Sequence, residues 1–267
     1  MTRWRLLETG ARPGGWNMAC DAALLATADA SASVTSIRLY GWSPPAVSLG
    51  HHQPEPTPEE AAGLRARGVE WVRRPTGGRA VYHGHRDEEL TYSIVAPLRD
   101  PALPGGLSDS YRRIHEAIAA GLAALGAPVQ LASRRRAGTG AANRAHAIRP
   151  TSRRACFAAS VPWEIGIGGR KLVGSAQRRA RRAFLQHGSI PLAGDQALLA
   201  EIWPGSLEPE RITNVSSAVG RTVEFDELAA TLVVAFEESL SAELEPDALT
   251  REEERRIDAL LAEPAFA

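Results

Sequence analysis

Gly168-Gly169-Arg170-Lys171-Leu172-Val173-Gly174-Ser175-Ala176-Gln177-Arg178-Arg179 contains the only lysine of the chain; of 31 Lys and Arg residues, all the others are arginine. A bias towards arginine this strong replaces any lysine wanted only for its charge. Lysine offers a compact ammonium that can lose or gain a proton near neutrality, which arginine cannot. The pattern points to chemistry at Lys171, the alternative being a lysine left by chance in a solvated turn. Paired glycines favour a tight turn. The stretch therefore reads as Trp163–Ile167, a turn at Gly168-Gly169, and a second strand Lys171–Ala176, with a further strand at Ala183–His187. Such a hairpin is expected to gather Lys171, Gln177 and His187 into a polar pocket, with Leu172, Val173 and Leu185 on the opposite face. Taken alone, His187 also reads as a structural histidine.

Outward from this stretch, Arg73-Arg74-Pro75-Thr76-Gly77-Gly78-Arg79-Ala80-Val81-Tyr82-His83 leaves one strand, passes a Gly-Gly turn and enters another. Adjacent glycines let backbone N–H groups approach a ligand closely, and Arg73 and Arg74 could add fork-like contacts to an anion. The GxxxxGK[ST] spacing of a phosphate-binding loop is absent. A plain hairpin turn with flanking arginines is the competing reading.

The remaining elements mix hairpins and helices. Asn17 is expected to cap a helix to about Ala30, with Met18, Ala22, Leu25 and Ala26 along one face. Strands follow at Ser36–Gly41, Ala46–Leu49, Val69–Arg73, Ala80–Tyr82 and Leu90–Val95. Thr57 with Glu60 forms a capping box for a short helix to about Arg67. Tyr111, Ile114, Ile118, Leu122 and Leu125 share a helical face beginning at Ser108. Ser133–Thr151 lacks a hydrophobic period and reads as a long loop, after which Cys156–Ser160 reads as a strand. Helices near Asp195–Ile202, Asp226–Ser241 and Thr250–Leu261 close the chain. This order predicts an α+β fold with a largely antiparallel or mixed sheet flanked by helices. The expected organisation is one domain over 1–267, the helices of about 195–267 packed upon it.

The 267 residues carry no net charge, with 44% hydrophobic and 23% charged residues, as ordinary globular chains do. No apolar run approaches the roughly 20 residues of a membrane span, and the N-terminus lacks a signal-peptide pattern, so a cytoplasmic setting is expected. The charge is unevenly placed. Leu131–His187 holds thirteen basic residues and one acid, Glu164, giving +12 there and −12 elsewhere. Such a field suits an acidic partner, or else a solvated loop. Cys20 and Cys156 show no metal-ligand spacing, so no metal site is expected. Cys156 stands beside Arg153 and Arg154. Cationic neighbours favour the nucleophilic thiolate, whereas Cys20 lies among small apolar residues and reads as core.

Together these segments resemble the family of lipoate–protein ligases, lipoyl/octanoyl transferases and, more distantly, biotin–protein ligases. RRPTGGRAVYH looks like its RRxxGGxAVxH signature, and GRKLVGSAQRR followed by LQHGSI looks like its lysine motif and next strand. The likeness spans roughly residues 16 to 195. Within the family, Cys156-Phe157, Ser160, Glu164-Ile165 and Gly169-Arg170-Lys171 are similar to octanoyltransferases whose cysteine precedes the lysine. One local departure is Gly84 after His83, where an acid is usual; Asp87, Glu88 and Glu89 come later.

The resemblance implies that Cys156 carries the acyl group and that Lys171 contacts its carbonyl. It implies substrate-binding roles for Arg74, Gly77, Gly78, Tyr82, His83, Gly174, Ser175, Gln177 and His187, with Val81 and Tyr82 beside the acyl chain. The donor would be octanoyl-acyl-carrier protein. The acceptor would be a lipoyl-domain protein, either the glycine cleavage H protein or a dehydrogenase E2 subunit. No cofactor, nucleic acid or membrane is implied. The rivals are an ATP-dependent lipoate or octanoate ligase, an amidotransferase between lipoyl domains, and a non-enzymatic anion- or nucleic-acid-binding module using the arginine-rich loop.

Overall fold

Three strands buried on both faces form the centre of the molecule: β2 (Ser36–Trp42), β6 (Glu89–Pro97) and β11 (Ala183–Pro191). Side chains alternate across a strand. Ile37 and Leu39 of β2 and Leu90, Tyr92 and Ile94 of β6 enter one core, while Arg38, Tyr40, Ser93 and Val95 face the other side. The computed structural model describes residues 1–31, 33–132, 163–204 and 206–263. The expected strand Cys156–Ser160 and the arginine-rich stretch Ser133–Thr151 lie outside the described residues.

With β1 (Thr2–Arg12), β10 (Gly174–Arg179) and β12 (Ala242–Asp247), these strands make a six-stranded sheet ordered β10-β11-β6-β2-β1-β12. β1 runs parallel to both neighbours and the remaining pairs are antiparallel. The mixed α+β sheet expected from the sequence is the observed one. Helices α3 (Leu107–Ala124) and α6 (Phe225–Leu240) cover one face, and α1 (Gly14–Ala30) and α7 (Arg251–Leu261) the other.

A smaller sheet, β4-β3-β5, joins β3 (Ala46–Leu49), β4 (Glu70–Arg73) and β5 (Val81–His83). It packs on α2 (Pro58–Arg65) and α4 (Ala197–Ile202) through Leu49, Leu64, Val81 and Leu199. A third, β7-β8-β9, is built from β7 (Gln130–Leu131), β8 (Ile165–Ile167) and β9 (Arg170–Lys171). The turn between β8 and β9 uses Gly168 at φ +56° and Gly169 at φ +82°, a region open to glycine at little steric cost. The short helix α5 (Val215–Val219) completes the set. Among the described residues no helix is long and apolar enough to cross a membrane.

Two details of local sequence behave differently. Thr57 and Glu60 form the expected capping box, the Thr57 amide donating to Glu60 and the Glu60 amide to the Thr57 hydroxyl. Asn17, expected to cap α1, lies inside it; the helix begins at Gly14, after Pro13. Asn17 is fully buried because its side chain has other partners. Its amide donates to the Arg12 and Gly41 carbonyls, and its oxygen accepts from Arg38. Ala26, expected on the buried face of the helix, is exposed.

Candidate active site

A pocket opens between the large sheet and the β3–β5 sheet. Met18, Tyr40, Trp42 and Val81 give it apolar walls, and His83, Arg74, Gly174, Ser175, His187 and Gly188 line the rest. His187 and His83 each anchor a buried relay.

The first relay joins α1, β2, β6, β11 and the turn that carries Thr76. The Asp21 carboxylate on α1 accepts from Arg38 Nη1 at 2.5 Å, Ser93 Oγ at 2.8 Å and Tyr40 OH at 3.2 Å. His187 Nδ1 donates to Asp21 at 2.8 Å, and its Nε2 accepts from the Thr76 hydroxyl at 2.7 Å. A carboxylate only accepts, so its contact fixes the His187 tautomer. Burial opposes ionisation of Asp21, but the Arg38 charge and the His187 and Ser93 hydrogen bonds outweigh it and hold the carboxyl below its ordinary range. Burial also lowers the His187 imidazole, against the pull of Asp21, so it favours the neutral ring.

The second relay holds His83. Its ring stacks on Trp42 with centroids 3.9 Å apart. Nδ1 donates to Glu89 at 2.8 Å, and Nε2 accepts from the Ser48 hydroxyl at 2.8 Å. Glu89 also accepts from Thr91, whose hydroxyl accepts from the Trp42 indole N–H. Of the three acids following Gly84, Glu89 is the one that reaches His83. Glu88 instead receives the His85 amide, and a Cβ on Gly84 would lie 2.2 Å from its carboxylate oxygen.

The Gly77-Gly78 turn is tied down rather than left open. Arg74 donates to the Gly77 and Arg79 carbonyls and to both oxygens of Ser48. Arg73 donates to the carbonyls of Gly50, His51 and Gln53. Arg74 thus braces the turn through its own carbonyls, and Arg73 holds the neighbouring segment 50–53, instead of the two presenting the expected fork to a ligand. Gly78 has φ +95°. A Cβ at Gly50 would lie 2.1 Å from the Gly78 carbonyl oxygen, so the turn rests directly on residue 50. Gly50→Ala is therefore expected to displace the turn and to lower turnover by about tenfold or more, since misplacement near 1 Å can cost far more than that. Steady-state kinetics beside a thermal melt checks this; unchanged turnover would show that the turn does not position substrate.

The three polar residues grouped by sequence separate on folding. In the β10–β11 register Ala176 faces His187 and Gln177 faces Gln186. His187 therefore points to α1, whereas Gln177 donates to Gln186 and to Ser110 on α3. Leu185 lies on the His187 face, in the α1–α7 core, and Leu172 and Val173 lie in the α3–α6 core. Lys171 is 9% exposed and its Nζ donates to Glu164 at 2.5 Å. Tyr82 packs with the α2–α4 core, while its neighbour Val81 lines the pocket. Cys156 lies outside the described residues. Cys20 is buried, and burial pushes its thiol up to about 11.

Residues 13–237 match the model of the lipoyl protein ligase A/B catalytic domain. The chain belongs to this family. Among curated relatives, the octanoyltransferase LipM of Symbiobacterium thermophilum is 38% identical, covering 97% of this chain and 94% of that one. The octanoyltransferase LipM of Moorella thermoacetica is 39% identical, covering 99% and 96%. Among solved structures, lipoate-protein ligase A bound with ATP has a TM-score of 0.77 at 23% identity, covering 100% of this chain and 97% of that one. A putative lipoate protein ligase from T. acidophilum with bound lipoic acid has a TM-score of 0.72 at 24% identity, covering 97% and 94%. These structures share the lipoyl protein ligase fold with the present chain.

Sequence reasoning missed Asp21, Ser48 and Thr76, and placed no task on Glu164 or Arg38. A charged residue inside an apolar strand, Arg38 within Ser-Ile-Arg-Leu-Tyr, was the available signal. A buried guanidinium requires a carboxylate partner.

Proposed function

We propose that the chain is an octanoyltransferase of lipoate biosynthesis, acting in the cytoplasm. Octanoyl-acyl-carrier protein is its donor, and a lysine of a lipoyl-domain protein is its acceptor. The observation that carries this reading is the likeness, over nearly the whole chain, to proteins named octanoyltransferase.

The Cys156 thiolate attacks the thioester carbonyl carbon of the donor. The carbon–sulfur bond to the carrier breaks and the carrier's thiolate leaves, giving an octanoyl thioester on Cys156. The acceptor amine then attacks that carbonyl, a C–N bond forms, and Cys156 is released as the amine loses its proton. Two easier steps replace one, with ping-pong kinetics. The resemblance gives the nucleophile's role to Cys156, and burial, which pushes the Cys20 thiol up to about 11, suits Cys20 less to it. Lys171, with amides of the Gly77-Gly78 turn, stabilises the oxyanion. The Met18, Trp42 and Val81 wall takes the acyl chain, against a His83 ring held flat by Trp42 and Glu89.

Intact mass spectrometry after mixing with octanoyl-acyl-carrier protein tests the scheme. The expected result is one octanoyl adduct that passes to a lipoyl-domain acceptor. No adduct while the carrier stays acylated would reject it. Adenylate formation from free octanoate, ATP and Mg²⁺ would replace it with a ligase, and transfer only from another lipoylated domain with an amidotransferase.

A further inference from the structure

Trp163 has a left-handed φ of +71°, a conformation that costs a bulky side chain and persists only when its surroundings enforce it. The following residue is Glu164, the ion-pair partner of Lys171. Trp163 and Glu164 pair with Ala132 by backbone hydrogen bonds of 2.9 and 2.8 Å. A further restraint comes from α3. His115 is fully buried, and its Nδ1 donates to the Trp163 carbonyl at 2.7 Å.

The His115 ring is itself fixed by a directed series of hydrogen bonds. A carbonyl only accepts, so Nδ1 carries the proton and Nε2 accepts from the Ser175 hydroxyl at 2.9 Å. The Ser175 oxygen in turn accepts from Tyr92 OH at 2.8 Å. Tyr92 accepts from Gln186 Nε2 at 3.0 Å, and Gln186 Oε1 accepts from Gln177 at 3.0 Å. The close approach needs Gly188, where a Cβ would lie 2.4 Å from Ser175 Oγ. Burial pushes the imidazole down to about 4, the Trp163 carbonyl pulling it back and the Lys171 charge lowering it further. The neutral ring with Nδ1 protonated is thus the form that fits.

We propose that His115 is a positioning residue for Lys171: through the Trp163 carbonyl it sets the backbone that carries Glu164, and Glu164 sets where the Lys171 ammonium rests. Glu164 is 5% exposed, and its second carboxylate oxygen, Oε2, has no hydrogen-bond partner among the described residues. Lys171 is therefore the described side chain that holds this carboxylate, and the two move together. The functional consequence rests on the reading of Lys171 as the group that holds the acyl carbonyl; the positioning does not.

The chain has one lysine, so labelling with ¹³C,¹⁵N-lysine gives a single side-chain NMR signal that reports Lys171 alone. An asparagine amide nitrogen falls where histidine Nδ1 sits, and a glutamine amide where Nε2 sits. His115→Asn can keep the bond to Trp163, whereas His115→Gln loses it and keeps the Ser175 contact. The expected result is a wild-type Lys171 signal in His115→Asn. In His115→Gln and Glu164→Gln the signal moves away from its wild-type position, and octanoyl transfer from the carrier slows by about 10- to 100-fold. An unmoved signal in His115→Gln, or an equal displacement in His115→Asn, overturns the proposal. If His115→Gln does not fold, Glu164→Gln decides, and an unmoved signal there overturns it too. If the wild type forms no acyl-enzyme, the functional reading fails while the lysine signal still decides the positioning.

Discussion

Cys156→Ser is expected to abolish the octanoyl adduct and to lower transfer by at least about 10⁴-fold, with the melting temperature unchanged. Removing a nucleophile alone typically costs this much or more, because the other groups of the site act only through it. Serine keeps the shape of cysteine, but its hydroxyl is a far weaker nucleophile at neutral pH without a base held against it. The second cysteine provides an internal control. Cys20 is buried beside Asp21 on α1, and burial pushes its thiol up to about 11. Cys20→Ala removes one buried sulfur and should leave the adduct intact. Stopped transfer with carrier protein, followed by intact mass, reads both variants. An adduct that persists in Cys156→Ser and disappears in Cys20→Ala would move the nucleophile to α1 and reverse the assignment.

The fold was legible where periodicity and turn chemistry agree. β2, β3, β6 and α3 lie close to the expected places because their apolar residues recur at strand or helix spacing and Gly or Pro punctuates them. β1 and β12 were not legible. Thr-Arg-Trp-Arg-Leu-Leu-Glu mixes charge into an outer part of the sheet, and Ala-Glu-Leu-Glu-Pro-Asp looks like solvated chain. They become strands through parallel pairing, Thr2 with Ala242 onwards, across a separation that no local pattern can reveal. The same limit governed the site. Arg74, His83 and His187 were visible in motifs, but Asp21 and Thr76 meet His187 from 166 and 111 positions away. Reading Gln177 and His187 as neighbours erred because residues on facing strands share a side only in one register. Gln177 pairs with Gln186, and so it faces α3.

Lys171→Arg is expected to lose about 10²–10³ in transfer rate, the scale for one donor to a developing oxyanion, although it keeps the charge. The residue is 9% exposed at the C-terminal end of β9. There is little room beside it. A Cβ at Gly166, its partner on β8, would lie 2.5 Å from the Arg170 carbonyl oxygen. Arginine would satisfy Glu164 well, because its planar fork suits a carboxylate in two parallel bonds. That preference holds the guanidinium on Glu164 and leaves no compact donor free to meet the acyl carbonyl. The ion pair should therefore survive, the fold should melt normally, and apparent affinity for the carrier should change little. The loss should fall on the first-order acylation step, measured in a single turnover under saturating donor. An arginine variant within about threefold of wild type in that step would show that charge alone suffices. Lys171 would then be an ordinary partner of Glu164, with no part in holding the thioester.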